Sequence, residues 1–177
     1  QGDWSSDVCS SDLESSTSGR TIEMRGGSTV GHELDRMVFA VSRRRPPSPP
    51  VRQDVVIERA SRGCAEAVLG DRSVHVTWSI EEGWEDRNEV EAAFDPDELS
   101  MPLELRARTP GDRIRLRGGS RKVKKVLLEH RIPSAGRDAV PVLVDAAGEV
   151  LWIPGVARST LAPPRPGAPS LRIRIEP

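Results

Sequence analysis

The sequence predicts an α+β protein that is mostly antiparallel β, with one clear amphipathic helix at about residues 121–131. Three observations predict this fold class. Several short segments alternate apolar and polar residues with a period of two, as half-buried strands do. Gly- and Pro-containing turns separate them. One stretch instead repeats its apolar residues every three to four positions, which is the spacing of a helix face.

The composition limits the classes of protein to which the chain can belong. The chain has 177 residues, of which 30% are charged and 36% hydrophobic, and no apolar run approaches the roughly 20 residues of a membrane helix. The two cysteines, Cys9 and Cys64, have no C-x-x-C spacing and no histidine at metal-ligand distance. We therefore expect a soluble, cytoplasmic protein without a disulfide framework or a metal site.

Three regions are predicted along the chain. Residues 1–20 are expected to be disordered, and QGDWSSDVCSSDL at 1–13 resembles a translated sequencing or assembly artefact; a natural Ser/Asp-rich tail is the alternative. Residues 21–100 are predicted to be a β-rich connecting or substrate-binding region. Residues 101–177 are predicted to be a C-terminal domain.

Segments with period-two alternation in the middle region are predicted strands. They are residues 21–24, 33–41, 53–60 and 73–80. The pair Gly26-Gly27 would turn the first two into a hairpin. The proline-rich residues 42–50 are predicted to be a linker, and the acidic residues 81–100 a loop followed by a short strand and a turn.

A basic strand is predicted after the turn at Pro110-Gly111, where Asp112 can hydrogen-bond the local backbone. Because strand side chains alternate, Arg113, Arg115 and Arg117 should share one face, with Ile114 and Leu116 on the other.

A helix is predicted next, with Ser120 as its N-cap and Pro133 helping to stop it. Its apolar side should consist of Val123, Val126, Leu127 and His130. Arg121 and Lys122 would then lie in the first turn, which is unfavourable for the helix dipole and indicates selection by something other than helix stability. Three further strands are predicted at 139–145, 149–155 and 171–176, with Trp152 filling the core rather than stacking on a base.

Basic residues are concentrated between Arg106 and Arg131. Ten Lys or Arg oppose only Asp112 and Glu129 there, a net charge of +8, while the whole chain carries -1. Such a block is typical of a surface that binds a polyanion. Aromatic residues make up only 3%, so the phosphates of a folded RNA are a better target than stacked bases. A merely solvated basic face is the alternative.

The sequence contains no pattern that supports catalysis. It has no H-E-x-x-H, Walker-type or G-x-S-x-G motif, and its three histidines are scattered. The glycine pairs at 26–27 and 118–119 lack the spacing of a phosphate loop, and the second is only a weak match to an anion cradle.

Three blocks in order resemble the C-terminal domain of tRNA(Ile)-lysidine synthetases. They are R-T-P-G-D-R-I (108–114), G-G-S-R-K-V-K-K-V-L-L-E-H-R-I-P (118–133) and V-P-V-L-V-D-A-A-G-E-V-L-W-I-P-G (140–155). The resemblance covers residues 101–177 well. T-I-E-M-R-G-G followed by E-L-D-R-M-V-F, from residue 21 to 39, is more loosely similar to the stretch that leads into that domain.

This resemblance implies an ATP-dependent ligase that converts the wobble cytidine of tRNA(Ile) to lysidine, using ATP with Mg and lysine. The catalytic domain of the family carries an S-G-G-x-D-S loop, which is absent from these 177 residues, so we expect the chain alone to be inactive and to hold no cofactor. Its expected role is binding tRNA(Ile) away from the anticodon. The predicted tRNA-binding residues are Arg108, Arg113, Arg115, Arg117, Arg121, Lys122, Lys124, Lys125 and Arg131, and Asp112 is assigned to the turn.

The competing hypothesis is a non-catalytic β module that binds a protein or an acidic surface. Neither hypothesis fixes the oligomeric state.

Overall fold

The computed structural model describes residues 20–24, 28–33, 36–41, 52–58, 62–69, 72–83 and 90–176. The predicted artefactual segment at 1–13 and the predicted linker at 42–50 lie outside these residues. The chain divides into two compact units, Gln1–Pro46 and Pro47–Pro177. Within the described part, no helix is long and apolar enough to cross a membrane.

The first unit contains a three-stranded antiparallel sheet. Its strands are β1 (Arg20–Met24), β2 (Ser28–Glu33) and β3 (Arg36–Val41), and β2 pairs with both neighbours. The predicted hairpin between residues 21–24 and 33–41 is therefore wrong, because β2 lies between them. Residues 28–33 were missed because Val30 is the only large apolar residue among them.

The strands of the second unit are β4 (Arg52–Gln53), β5 (Val55–Ile57), β6 (Arg62–Leu69), β7 (Arg72–Glu82), β8 (Glu91–Phe94), β9 (Leu103–Ala107), β10 (Arg113–Leu116), β11 (Gly119–Lys122), β12 (Pro141–Val144), β13 (Val150–Ile153), β14 (Ala157–Arg158) and β15 (Pro169–Glu176). Helix α1 (Val123–Glu129) follows β11, and the short helix α2 (Ser134–Arg137) follows α1.

These strands form two sheets. One has the order β4-β6-β7-β15-β8, and the other has the order β11-β10-β13-β12-β9-β5 with β14 paired to β13. The strand pairs are antiparallel except β10 with β13, which run parallel where Ile114 meets Val150. The prediction of a mostly β fold with a helix is confirmed, but the second sheet is mixed rather than purely antiparallel.

One apolar core joins the two sheets. It includes Leu105 of β9, Trp152 of β13 and Ile173 of β15. Trp152 is 3% exposed, so the prediction that it fills the core is confirmed. A β-bulge, where Leu143 pairs with Trp152 but Val144 pairs with Val150, lets the adjacent Leu151 join this core as well.

The predicted boundary at residues 100/101 does not coincide with the boundary between units. The last strand, β15, pairs with β7 and β8 from the region before residue 100, and β5 pairs with β9. Pro47–Pro177 is one unit because both sheets and their shared core draw on residues from both sides of that position.

Helix α1 packs on the other face of the second sheet. Its buried residues Val123, Val126 and Leu127 contact Ile114 and neighbouring strand residues, which confirms most of the predicted apolar side. His130 is instead exposed just beyond the helix, where its ring Nδ1 lies 3.0 Å from the Val126 carbonyl oxygen.

The start of the helix differs from the prediction. It begins at Val123 rather than near residue 121, and no side chain caps it, so Ser120 is not its N-cap. Gly119 has φ +102, a conformation that glycine adopts readily, and the chain turns there into strand β11. Arg121 and Lys122 are strand residues, and the argument from the helix dipole does not apply to them.

Candidate nucleic-acid interface

Strands β10 and β11 form a two-stranded ribbon at the edge of the second sheet. In its register Arg113 faces Lys122, Ile114 faces Arg121, and Arg115 faces Ser120. Ile114 is fully buried against the residues of α1. Because strand side chains alternate, Arg113, Arg115 and Lys122 lie on the ribbon face that points away from α1, and all three are exposed.

Two like charges stand directly opposite each other on this face. Arg113 and Lys122 are register partners, an arrangement that destabilises a strand pair. No ion pair is formed by either side chain with the residues that the structure describes. The Arg113 guanidinium is held by Ser120, donating from Nε to Oγ at 3.0 Å and from a terminal nitrogen to the carbonyl oxygen at 3.0 Å. These two bonds use two of its five N–H donors, so three stay available for a ligand.

Two other cations of the ribbon contact carboxylates. Arg121 donates to Glu129 at the end of α1, and a terminal nitrogen of Arg115 lies 3.7 Å from an oxygen of Glu149. Arg117 lies in the exposed turn between the strands. The predicted common face of Arg113, Arg115 and Arg117 is therefore confirmed for the first two only, since the strand ends at Leu116.

The predicted helix cations lie on the other side of the sheet. Lys124 and Lys125 are exposed on α1, which covers the face opposite to Arg113. Arg131 follows the helix with φ +56 and is also exposed. The structure thus divides the predicted basic surface into a ribbon face and a helix face.

Arg108 has a different environment from the other predicted cations. Its side chain is 11% exposed, donates from Nε to the Arg137 carbonyl oxygen at 2.8 Å and pairs with Asp138. Arg137 is itself 4% exposed and donates from Nε to the Ile132 carbonyl oxygen at 2.7 Å. Arg108 and Arg137 therefore brace the segment that contains α2.

Asp112 fixes the turn that leads into the ribbon, as predicted. Its carboxylate accepts hydrogen bonds from the Thr109 backbone N–H at 2.7 Å and hydroxyl at 3.0 Å, and from both terminal nitrogens of Arg106 at 3.0 and 2.9 Å. Burial acts to raise the pKa of Asp112, but the hydrogen bonds from Arg106 and Thr109 outweigh it and hold the pKa below its ordinary value. The hydrogen bonds to Asp112 raise the pKa of Arg106.

The sequence did not reveal two contributors to this site. Ser120 orients Arg113, and Arg106 holds Asp112, yet Ser120 resembled a helix cap and Arg106 was one cation among many. Only the pairing of β10 with β11 makes the first role visible. Within the described ranges, no three His, Cys, Asp or Glu side chains are grouped so that they could hold a metal ion.

Comparison with known proteins gives a match over the segment that contains this ribbon. Residues 103–175 match the family model described as the TilS substrate C-terminal domain. A tRNA(Ile)-lysidine synthase from Bacillus licheniformis is 35% identical over 105 residues, which cover 58% of this chain and 22% of that protein. One from Thermotoga maritima is 48% identical over 63 residues, 36% of this chain and 15% of that protein. The chain thus spans about a fifth or less of the length of these relatives.

A solved structure has a similar fold. The crystal structure of a TILS C-terminal domain superposes with a TM-score of 0.59 at 26% sequence identity. The match covers 70% of this chain and 97% of that one. A match of this extent reaches beyond residues 103–175, in agreement with the single unit that both sheets form.

Proposed function

Because residues 103–175 match the TilS substrate C-terminal domain model, we propose that this chain is the tRNA-binding C-terminal part of a tRNA(Ile)-lysidine synthase. Its partner is tRNA(Ile), and it acts in the cytoplasm. The parent enzyme is an ATP-dependent ligase that uses ATP with Mg and lysine to convert the wobble cytidine to lysidine. In this proposal the reaction takes place in a separate catalytic domain, and this chain contributes binding of the tRNA body.

The observation that carries the proposal is the like-charge pair Arg113 and Lys122 on the exposed face of the ribbon. Placing two cations in direct register costs stability, and no carboxylate among the described residues offsets it. A row of RNA phosphates would offset it, because guanidinium and ammonium groups bind phosphate oxygens strongly and without reading sequence. Arg115 and Arg117 extend the positive potential around this pair. A second group of cations lies on the helix side of the sheet: Arg121, Lys124, Lys125 and Arg131. Arg108 contributes to this binding surface indirectly, because it positions its segment while its own charge is paired with Asp138.

Charge reversal of the ribbon pair tests this function. The variant Arg113→Glu with Lys122→Glu should bind transcribed tRNA(Ile) at least about tenfold more weakly than the unchanged chain at low salt. Each phosphate contact contributes about 0.7 to 0.9 to the slope of log affinity against log salt, so losing two contacts should reduce that slope by about 1.4 to 1.8. Fluorescence anisotropy over a salt series measures both quantities, and circular dichroism checks the fold.

A matched control is available on the other sheet. Arg62 and Arg174 are exposed cations of β6 and β15, and reversing both changes the net charge by the same amount. The Arg62→Glu, Arg174→Glu variant should keep most of the tRNA affinity and the full salt slope. Equal losses in both variants, or tRNA binding that is flat with salt in the unchanged chain, would refute the assignment of the ribbon as the RNA surface.

A further inference from the structure

Two carboxylates lie against the ribbon cations. Glu129, the last residue of α1, accepts a hydrogen bond from Arg121, and Glu149, just before β13, lies 3.7 Å from Arg115. The four side chains are between 34% and 53% exposed. Both pairs are therefore in contact with solvent. Arg115 lies on the ribbon face with Arg113 and Lys122, whereas Arg121 lies on the α1 side of the edge strand β11.

These pairs differ in strength from the internal pair of the same region. Exposed ion pairs contribute about 0 to 1 kcal/mol, so a phosphate can replace the carboxylate at small cost. Arg106 and Asp112 are only 17% and 7% exposed and share two hydrogen bonds, so a phosphate does not replace the carboxylate of this pair. Glu129 and Glu149 are thus displaceable, whereas Asp112 belongs to the structure of the turn.

We propose that Glu129 and Glu149 are specificity-determining residues that screen Arg121 and Arg115 from flexible polyanions; this rests on the proposed function. A flexible strand can bind the open cations Arg113 and Lys122 without displacing either carboxylate. A folded RNA holds its phosphates at fixed positions, so a phosphate placed beside Arg115 or Arg121 displaces the carboxylate without a further loss of chain entropy. The two carboxylates therefore lower the affinity for unstructured nucleic acid more than the affinity for tRNA, which is selection against a wrong ligand.

The test removes both screening charges. The variant Glu129→Gln with Glu149→Gln should bind single-stranded poly(U) at least about fivefold more tightly than the unchanged chain, and tRNA(Ile) at most about twofold more tightly. With two more cations open, the salt slope for poly(U) should grow by about 1.4, at 0.7 for each phosphate of a single strand. The ratio of the two affinities, measured by anisotropy at several salt concentrations, is the decisive quantity.

The control changes the net charge equally on the other sheet. Glu66 and Glu176 are exposed on β6 and β15, and the Glu66→Gln, Glu176→Gln variant should leave the ratio of affinities unchanged. Equal gains for poly(U) and tRNA, no gain for poly(U), or the same effect in the control overturns the inference. These results do not contradict the proposed function if the affinity of the unchanged chain for tRNA falls steeply with salt. If the affinity of the unchanged chain for tRNA does not depend on salt, the proposed function itself is wrong.

Discussion

Replacing Asp112 by alanine is expected to destabilise the second unit by about 3–5 kcal/mol. The substitution leaves the Arg106 guanidinium, whose side chain is 17% exposed, without its bidentate partner. It also removes the acceptor of the Thr109 backbone N–H and hydroxyl, so the turn before β10 keeps only the 3.3 Å bond from the residue 112 N–H to the Thr109 carbonyl oxygen. Arg106 then keeps only the Ala107 carbonyl oxygen at 3.0 Å and Glu104 at 3.7 Å as acceptors. A largely buried charge that loses its close partner costs far more than the ion pair itself contributes, which is why removal of one member has a large effect.

Glu176→Ala provides the control for this prediction. Glu176 also pairs with an arginine, Arg174 at 2.7 Å, but both side chains are about half exposed, so water can replace the lost partner. Its loss should cost less than about 1 kcal/mol. Urea denaturation followed by circular dichroism measures both free energies of unfolding, and similar values for the two variants would mean that burial does not distinguish the two pairs.

The lowered pKa of Asp112 predicts a dependence of stability on pH. The ordinary value is 3.8, and the folded protein holds the pKa below it. The contribution of this group is therefore complete above the ordinary pKa and is lost as the pH falls through the folded value. Between about pH 6 and pH 3, the free energy of unfolding of the unchanged chain should decrease more than that of an Asp112→Asn variant.

A second carboxylate should keep the stability of the Asp112→Asn variant partly dependent on pH. The Asp95 side chain is 2% exposed, and the hydrogen bond from Arg165 lowers its pKa in the same direction. An Asp112→Asn variant should therefore keep part of the acid sensitivity, and adding Asp95→Asn should remove more of it. Parallel pH profiles for the unchanged chain and the single variant would contradict the role assigned to Asp112.

Local periodicity predicted the elements whose pattern is complete within a few residues. The alternation in Arg113–Leu116 placed Ile114 inside, and the apolar run in 139–145 predicted β12. Helix α1 was found from its apolar spacing, but its first residue was not. The chain between Gly118 and Lys122 is compatible with a capped helix start as well as with a strand, and only pairing with β10 and the positive φ of Gly119 decide between them.

The division of the basic residues between two faces was equally invisible in the sequence. A count of charges along the sequence groups Lys124 and Lys125 with Arg113, because all three lie close together in the chain. The packing of α1 over Ile114 places them on opposite sides of the sheet. Tertiary packing, which no local pattern contains, therefore determines how many of these cations one phosphate backbone can reach.

The sequence did not predict strand β6, and the distances between β6 and β7 explain why. Its inward positions include Gly63, Ala65 and Ala67, too small to give the apolar alternation of a core strand. Gly63 is the register partner of Trp78 on β7, and a Cβ built on Gly63 would lie 2.1 Å from Cζ2 and 2.4 Å from Cε2 of that indole. The ring occupies the space that side chains of β6 would otherwise fill.

Gly63→Ala is consequently expected to destabilise the second unit by about 2–3 kcal/mol, the usual cost of overpacking. Trp78 packs against the core, so the ring cannot move aside without opening contacts there. Gly118→Ala is the matched control, since no heavy atom lies within 4 Å of its Cβ and its φ is not positive. That change should stay within about 1 kcal/mol of the unchanged chain.

A double-mutant cycle with Trp78→Ala separates the contact from a general weakness of β6. If the indole excludes the added methyl group, Gly63→Ala should cost less than half as much in the Trp78→Ala background, which gives a coupling of at least about 1 kcal/mol. An equal cost in both backgrounds, measured by urea denaturation, would assign the effect to the strand backbone. Coupling of the expected sign would mean that the small residues of β6 are required by the ring on β7, so that the strand's weak apolar pattern is itself a consequence of cross-strand packing.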